Sequence, residues 1–215
     1  MIRRHSILAL ALALGCVATG VQAQSAMSAA PATDAPAVAL QEGSQFVTRL
    51  ASRAIAELTT DALPAPERIA RFRAMLTEAF DVPGIGRFVL GRYWRTATEA
   101  ERAEYLKLFE DLIVQTYANR FQDFAGAQLR VLGTREGQDG DVVAMVEATL
   151  PGKPPARLDV RMRRNGGGFK IFDVLVEGIS MSVTQRDEFA AVVQRNGGKV
   201  EGLLASLRER TRARQ

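Results

Sequence analysis

The spacing of apolar residues changes at Gly126 and changes back near Ser180, and those two changes limit the chain to one broad architecture. Before Gly126 apolar side chains recur at about 3.6-residue spacing, the repeat of a helix face; after it they alternate with a period of about 2, the repeat of a strand face. Four alternating runs, Gln128–Glu136, Asp141–Leu150, Ala156–Arg164 and Gly168–Glu177, are separated by Asp139-Gly140, Pro151-Gly152 and Asn165-Gly166-Gly167. Those are tight-turn signals, so consecutive runs should pair as antiparallel hairpins and build a meander. Helical spacing returns from Ser180 to Arg195, where Asn196-Gly197-Gly198 predicts a left-handed cap, and again from Val200 to about Arg210. The expected fold is α+β, an antiparallel sheet of four strands or slightly more wrapped by N- and C-terminal helices.

The helical part is richer in apolar positions than a simple core requires. Phe46, Leu50, Ile55 and Leu58 mark a first helix, and Ile69, Phe72, Met75, Leu76 and Phe80 a second one after Pro64-Ala65-Pro66. A short third helix carries Ile85, Phe88, Val89 and Leu90 toward Tyr93-Trp94. Thr98 and Glu101 stand at capping-box spacing and open the longest periodic stretch, expected from Glu99 to about Phe124. Its apolar residues cover more than one core stripe. The second and fourth strands show the same surplus, apolar on both faces over Val142–Val146 and Ile171–Val176, as strands inside a sheet do. On the third strand Leu158, Val160 and Met162 face one way, and Asp159, Arg161 and Arg163 the other. Such a surplus fits either an ordinary core or a core with a cavity left in it.

Composition removes several kinds of chemistry. The lone Cys is Cys16 and the lone His is His5. Both fall in a stretch that opens Met1-Ile2-Arg3-Arg4, runs apolar from Ile7 to Val17 and closes on Val21-Gln22-Ala23, the anatomy of a cleavable export signal over residues 1–23. The run is shorter than the roughly 20 apolar residues that span a bilayer. A lipidated Cys16 is the rival reading, against which Ala13 stands where a Leu would be expected. Cleavage after Ala23 leaves no thiol nucleophile, disulfide, imidazole base or Cys/His zinc site. Residues 24–40, rich in Ala, Ser, Pro and Thr, are expected to form a disordered leader, 41–210 a single domain and 211–215 a tail. The net charge of +4 resolves in the same way: residues 24–206 hold 22 basic and 23 acidic side chains, a poor binder of polyanions.

Three further features have a bland reading beside a functional one. Gly84-Ile85-Gly86 with Gly91 lacks the preceding strand and the spacing of a dinucleotide-binding loop, and reads as the start of a helix. Asp159, Asp173 and Glu177 lie on expected strands; paired carboxylates there would make a small hydrolase or isomerase, and the bland reading pairs them with nearby arginines. The arginines from Arg208 onward read as a solvated helix end, or as a weak contact with an anionic membrane or partner.

Two blocks carry a family resemblance. The first is Arg87-Phe88-Val89-Leu90-Gly91-Arg92-Tyr93-Trp94-Arg95 with the helix around Leu108-Phe109-Glu110-Asp111-Leu112 and Thr116-Tyr117-Ala118-Asn119-Arg120-Phe121. The second runs from Asp173-Val174-Leu175-Val176-Glu177-Gly178-Ile179-Ser180-Met181 to Phe189 and Gln194-Arg195-Asn196-Gly197-Gly198. In this order they resemble the MlaC family over roughly residues 41–208. The resemblance implies a non-enzymatic carrier of phospholipid in the Gram-negative periplasm, described also as a toluene-tolerance auxiliary protein of an ABC transporter, that maintains outer-membrane lipid asymmetry. It implies an inner-membrane permease complex with an MCE-type ring and an outer-membrane lipoprotein complex as partners. The protein is expected to be a monomer that binds no nucleic acid, with no metal, and no cofactor other than the phospholipid cargo. A branch linked to hopanoids leaves another lipid as alternative cargo, and a chaperone of lipoproteins is a third reading.

Apolar facing and position in or beside those blocks select the expected pocket. Phe88, Tyr105, Phe109, Leu112, Ile113 and Tyr117 would line it from the helices, and Val146, Val160, Phe172, Val174 and Val176 from the sheet. Arg92, Tyr93 and Arg95 are expected at its entrance, where a guanidinium pairs with phosphate. No catalytic residue is assigned.

Overall fold

The computed structural model describes residues 35–60 and 62–212. The stretch expected to be an export signal, the expected leader up to residue 34 and residues 213–215 of the expected tail lie outside the described residues. The elements are helices α1 (Ala35–Leu58), α2 (Ala65–Ala79), α3 (Val82–Leu90) and α4 (Glu99–Tyr117), strands β1 (Gln128–Glu136), β2 (Val142–Thr149), β3 (Ala156–Asn165), β4 (Gly168–Val176) and β5 (Ile179–Ser180), then helices α5 (Met181–Arg195) and α6 (Val200–Arg212).

Local chemistry sets most of these boundaries. Asp81 caps α3 by accepting the Gly84 N–H at 3.0 Å. The predicted capping box of α4 is present: the Thr98 hydroxyl accepts the Glu101 N–H at 3.2 Å, and the Glu101 carboxylate accepts the Thr98 N–H at 2.8 Å. Ser180 caps α5 through the Val183 N–H, and α5 ends where Gly198, at φ 78°, donates to the Val193 carbonyl at 2.9 Å.

Three boundaries differ from expectation. Helix α1 begins at Ala35, inside the stretch expected to be a disordered leader, because Ala39 and Leu40 gain apolar contact with the sheet. The long helix stops at Tyr117, and residues Ala118–Phe124 wind as a tighter 3₁₀ segment, with Phe121 against Phe72 at 5.3 Å between ring centres. At the other end α6 continues through Thr211, which is buried and donates to the Leu207 carbonyl, so the tail expected from residue 211 begins inside a helix. Arg208 is no free helix end either. Its guanidinium grips both oxygens of Glu104 at 2.6 and 2.8 Å and ties α6 to α4.

The strands pair in sequence order, β1-β2-β3-β4-β5, all antiparallel. β2 and β4, apolar on both faces, each have a neighbour on both sides. One irregularity redistributes side chains: between β3 and β4 the register runs Arg161 opposite Asp173 and Met162 opposite Ile171, leaving Phe172 as the extra residue of a bulge.

Apolar packing falls into two cores. One is wholly helical and joins α2 to α6 around Tyr105, Phe109, Leu112, Phe189, Leu203 and Leu207. The other lies between α1 and one sheet face, with Val47 over Val142, Ala144, Val146, Val160, Met162, Phe169 and Ile171. Phe80, just past α2, packs against both cores and pairs with Ile171 of β4, so the cores meet at that point.

Candidate functional site

The eleven expected pocket residues are divided by this arrangement. Tyr105, Phe109 and Leu112 belong to the helical core, with Ile113 half-buried against it. Tyr105 and Phe109 stack at 5.8 Å and meet Phe189 edge-on at 6.2 and 6.3 Å, and the Tyr105 hydroxyl donates to the Gly86 carbonyl at 3.0 Å. Burial pushes the Tyr105 phenol far above its ordinary range. Val146, Val160 and Val174 belong to the sheet core, and Val176 sits beside Leu158 on the same face. Phe88 and Tyr117 are 42% and 45% exposed and lie in neither core.

Phe172 is on the opposite sheet face from its expected companions. Strict alternation puts Phe172 with Val174 and Val176, but the bulge hands the core side to Ile171 and Phe169 and turns Phe172 toward the guanidinium groups of Arg161 and Arg163, 4.9 and 4.8 Å from its ring centre.

Beside each core, apolar side chains remain only half-buried. Phe46 and Leu50 of α1, Val131 of β1, Leu158 and Val174 flank the sheet core; Ile69 and Phe72 of α2 and Ile113 of α4 flank the helical core. Phe80 touches both sets, and Phe121 of the 3₁₀ segment packs on Phe72 of α2.

The expected entrance residues do come together, at another place. Leu90, at the end of α3, is followed by Gly91, whose backbone (φ 58°, ψ −129°) lies outside the region open to other residues, and a tight turn, Gly91–Trp94. A Cβ on Gly91 would sit 3.0 Å from Nε of Arg186, so glycine lets α5 approach α3 closely. The result is an open cleft of about 490 Å³ walled by Arg87, Phe88, Arg92, Trp94, Arg95 and Arg186. Tyr93 is buried behind it, its ring under the Arg92 guanidinium at 4.9 Å and its hydroxyl accepting from Arg92 at 2.8 Å. Arg186 and Arg87 were missed by sequence reasoning. Arg87 stands in the first block beside Phe88, but no local signal joins Arg186 to that block.

The three candidate acid–base carboxylates are each committed to neighbours. Asp159 accepts from Arg135 at 3.4 Å and Glu177 from the Arg157 N–H at 2.6 Å. Asp173, 5% exposed, accepts from Ser180, from the hydroxyl and N–H of Ser182, and pairs with Arg161 at 3.6 Å. Among the described residues no group of three or more His, Cys, Asp or Glu is placed to hold a metal ion.

A five-stranded antiparallel meander with α1 laid across one face and a second, helical core at its side defines an α+β class of fold that is found in a phospholipid-binding protein from Ralstonia solanacearum, solved in complex with a phospholipid. The two structures superpose with a TM-score of 0.71 over 80% of this chain and 98% of that one, at 23% sequence identity. The chain belongs to the MlaC protein family, whose sequence profile matches residues 48–209. Two curated relatives are the intermembrane phospholipid transport system binding protein MlaC of Haemophilus influenzae, 24% identical over 118 residues (52% of this chain, 54% of that protein), and the toluene tolerance protein ttg2D of Pseudomonas putida, 27% identical over 130 residues (59% and 60%). The chain spans just over half the length of these curated relatives.

Proposed function

We propose that this protein is a phospholipid carrier without catalytic activity, working in the periplasm after removal of residues 1–23 and moving lipid between an inner-membrane permease complex with an MCE-type ring and an outer-membrane lipoprotein complex. The observation that carries the proposal is the set of apolar side chains left half-buried beside both cores, from Leu50 and Phe72 to Ile113, Leu158 and Val174. Exposing an acyl chain to water costs about 0.8 kcal/mol per CH₂, hence on the order of 12 kcal/mol for a chain of about 16 carbons. A carrier therefore needs apolar surface that its own packing does not use up, close to a place where two packed bodies can part. The seam where the cores meet at Phe80 is such a place, and the acyl chains would lie along it, between α1 and α2 on one side and the inner face of β3 and β4 on the other. The names of the relatives and the lipid in the Ralstonia structure support the same cargo class.

The decisive experiment is native mass spectrometry with lipid extraction on protein purified from a Gram-negative host. A bound phospholipid at one copy per chain is the expected result. Delipidated protein that takes up no labelled phospholipid would overturn the proposal, a hopanoid in the extract would change the cargo, and acylated polypeptides would favour the chaperone reading.

A further inference from the structure

The geometry points to the cleft between α3 and α5 as a docking site for an acidic peptide segment of a partner protein, one that sets carboxylates around an apolar side chain. The assignment does not depend on what the protein carries.

Charge is the first ground. Most of the arginines that bridge elements of this fold are neutralised: Arg53 by Glu78, Arg73 by Glu110 and Asp111, Arg163 by Asp141, and Arg208 by Glu104. Arg87, Arg92, Arg95 and Arg186 converge on one cleft of about 490 Å³, and none of them makes an ion pair among the described residues. Among the described residues no carboxylate lines the cleft, and Asp187, in the adjoining hollow, is ion-paired to none of the four. Four like charges on one small concavity repel one another, so an anion gains from all of them at once.

Preorganisation is the second. Arg186 is held over the Phe88 ring at 5.2 Å and seated against Gly91, Arg87 lies over the Trp94 ring at 5.9 Å, and Arg92 over Tyr93 at 4.9 Å. A guanidinium fixed by its face keeps its N–H edge for a bidentate carboxylate, with part of the ordering cost already met.

The form of the surface then selects the occupant. Phe88 is 42% exposed, and Val183, three residues before Arg186 on the same face of α5, is 45% exposed. Apolar and aromatic side chains among arginines are the composition of a protein–protein hot spot. The site is concave, so a flat bilayer would touch only its rim, whereas a protruding segment reaches both the rings and the guanidinium groups.

The test is fluorescence anisotropy of the full-length exported protein with a fluorescein-labelled Asp-Glu-Leu-Glu-Asp peptide, with an Asn-Gln-Leu-Gln-Asn peptide as control. The acidic peptide should bind and the neutral one should not. The double variant Arg87→Glu/Arg186→Glu should weaken binding by at least about tenfold, while Arg87→Lys/Arg186→Lys loses less. Arg95→Glu, at an exposed position, is read the same way should the double variant fail to fold. Equal peptide affinity in wild type and charge-reversed protein would overturn the proposal. So would displacement of the peptide by millimolar inorganic phosphate, which marks a simple anion site, or charge-dependent binding of phosphatidylglycerol vesicles with no peptide binding, which marks a membrane contact.

Discussion

Ser182 gives both its hydroxyl and its backbone N–H to the same oxygen of Asp173, at 2.7 and 3.2 Å, while Ser180 donates to the other oxygen at 2.8 Å. The carboxylate that resembled an acid–base group is thus the latch that holds the start of α5 to β4, with Arg161 balancing its charge. Asp173→Asn puts an amide donor where donors already converge. It should lower stability by about 1–3 kcal/mol in urea unfolding while leaving bound lipid in place. Unchanged stability would remove the latch.

The buried ring of Tyr105 offers a narrower test. Tyr105→Phe keeps the stacking on Phe109 and removes only the hydrogen bond to the Gly86 carbonyl, so it should cost about 1 kcal/mol. Tyr105→Ala opens a cavity in the helical core and should cost about 3–5 kcal/mol. Both values are read from chemical denaturation; equal losses would mean that the ring contributes nothing beyond its hydroxyl.

Gly91 should tolerate no side chain. Its backbone angles and its contact with Arg186 together predict a loss of about 1–3 kcal/mol for Gly91→Ala, seen as a lowered Tm, and a disturbed cleft. A neutral substitution would show that the turn relaxes freely.

Val174→Trp tests the carrier reading at a half-buried position on the sheet face toward α1. The added volume should reduce co-purified lipid several-fold with the fold retained by circular dichroism. Full lipid occupancy in the variant would place the acyl chains elsewhere.

Acid should weaken the fold in a defined window. Hydrogen bonds from the Thr98 N–H and then its hydroxyl hold the Glu101 carboxyl below its ordinary range, and Arg53 and Arg208 do the same to Glu78 and Glu104. Each group binds its proton less readily in the folded chain than in the unfolded one. Their stabilisation is present above the unfolded value, about 4.3, and is lost as pH falls through the lower folded values. Tm should stay level from pH 7 to about 5 and fall below about 4.3, less steeply in Glu101→Gln. A Tm that holds to about pH 3 would contradict this.

What was legible in the sequence follows from where each signal is encoded. The capping box of Thr98 and Glu101, the meander order and the Asn196-Gly197-Gly198 stop were all readable, because each depends on residues a few positions apart and on backbone angles that neighbours dictate. The apolar surplus of the long helix and of β2 and β4 was readable as well, but not how it is spent. Part of it closes the helical core around Phe189, and part faces α1.

Local patterning therefore settled the class of fold and the order of the main elements, since periodicity and turn residues act over short range, while the family resemblance rested on the two sequence blocks themselves. Packing decided the rest. One extra residue at Phe172 moved a ring from the core face to the arginine face, a change that alternation cannot foresee because the bulge exists only when β3 and β4 are paired. Arg186 meets Phe88 and Gly91 across about a hundred residues of chain only because α5 packs on α3, so the charged cleft they share belongs to the tertiary structure and to no stretch of the sequence.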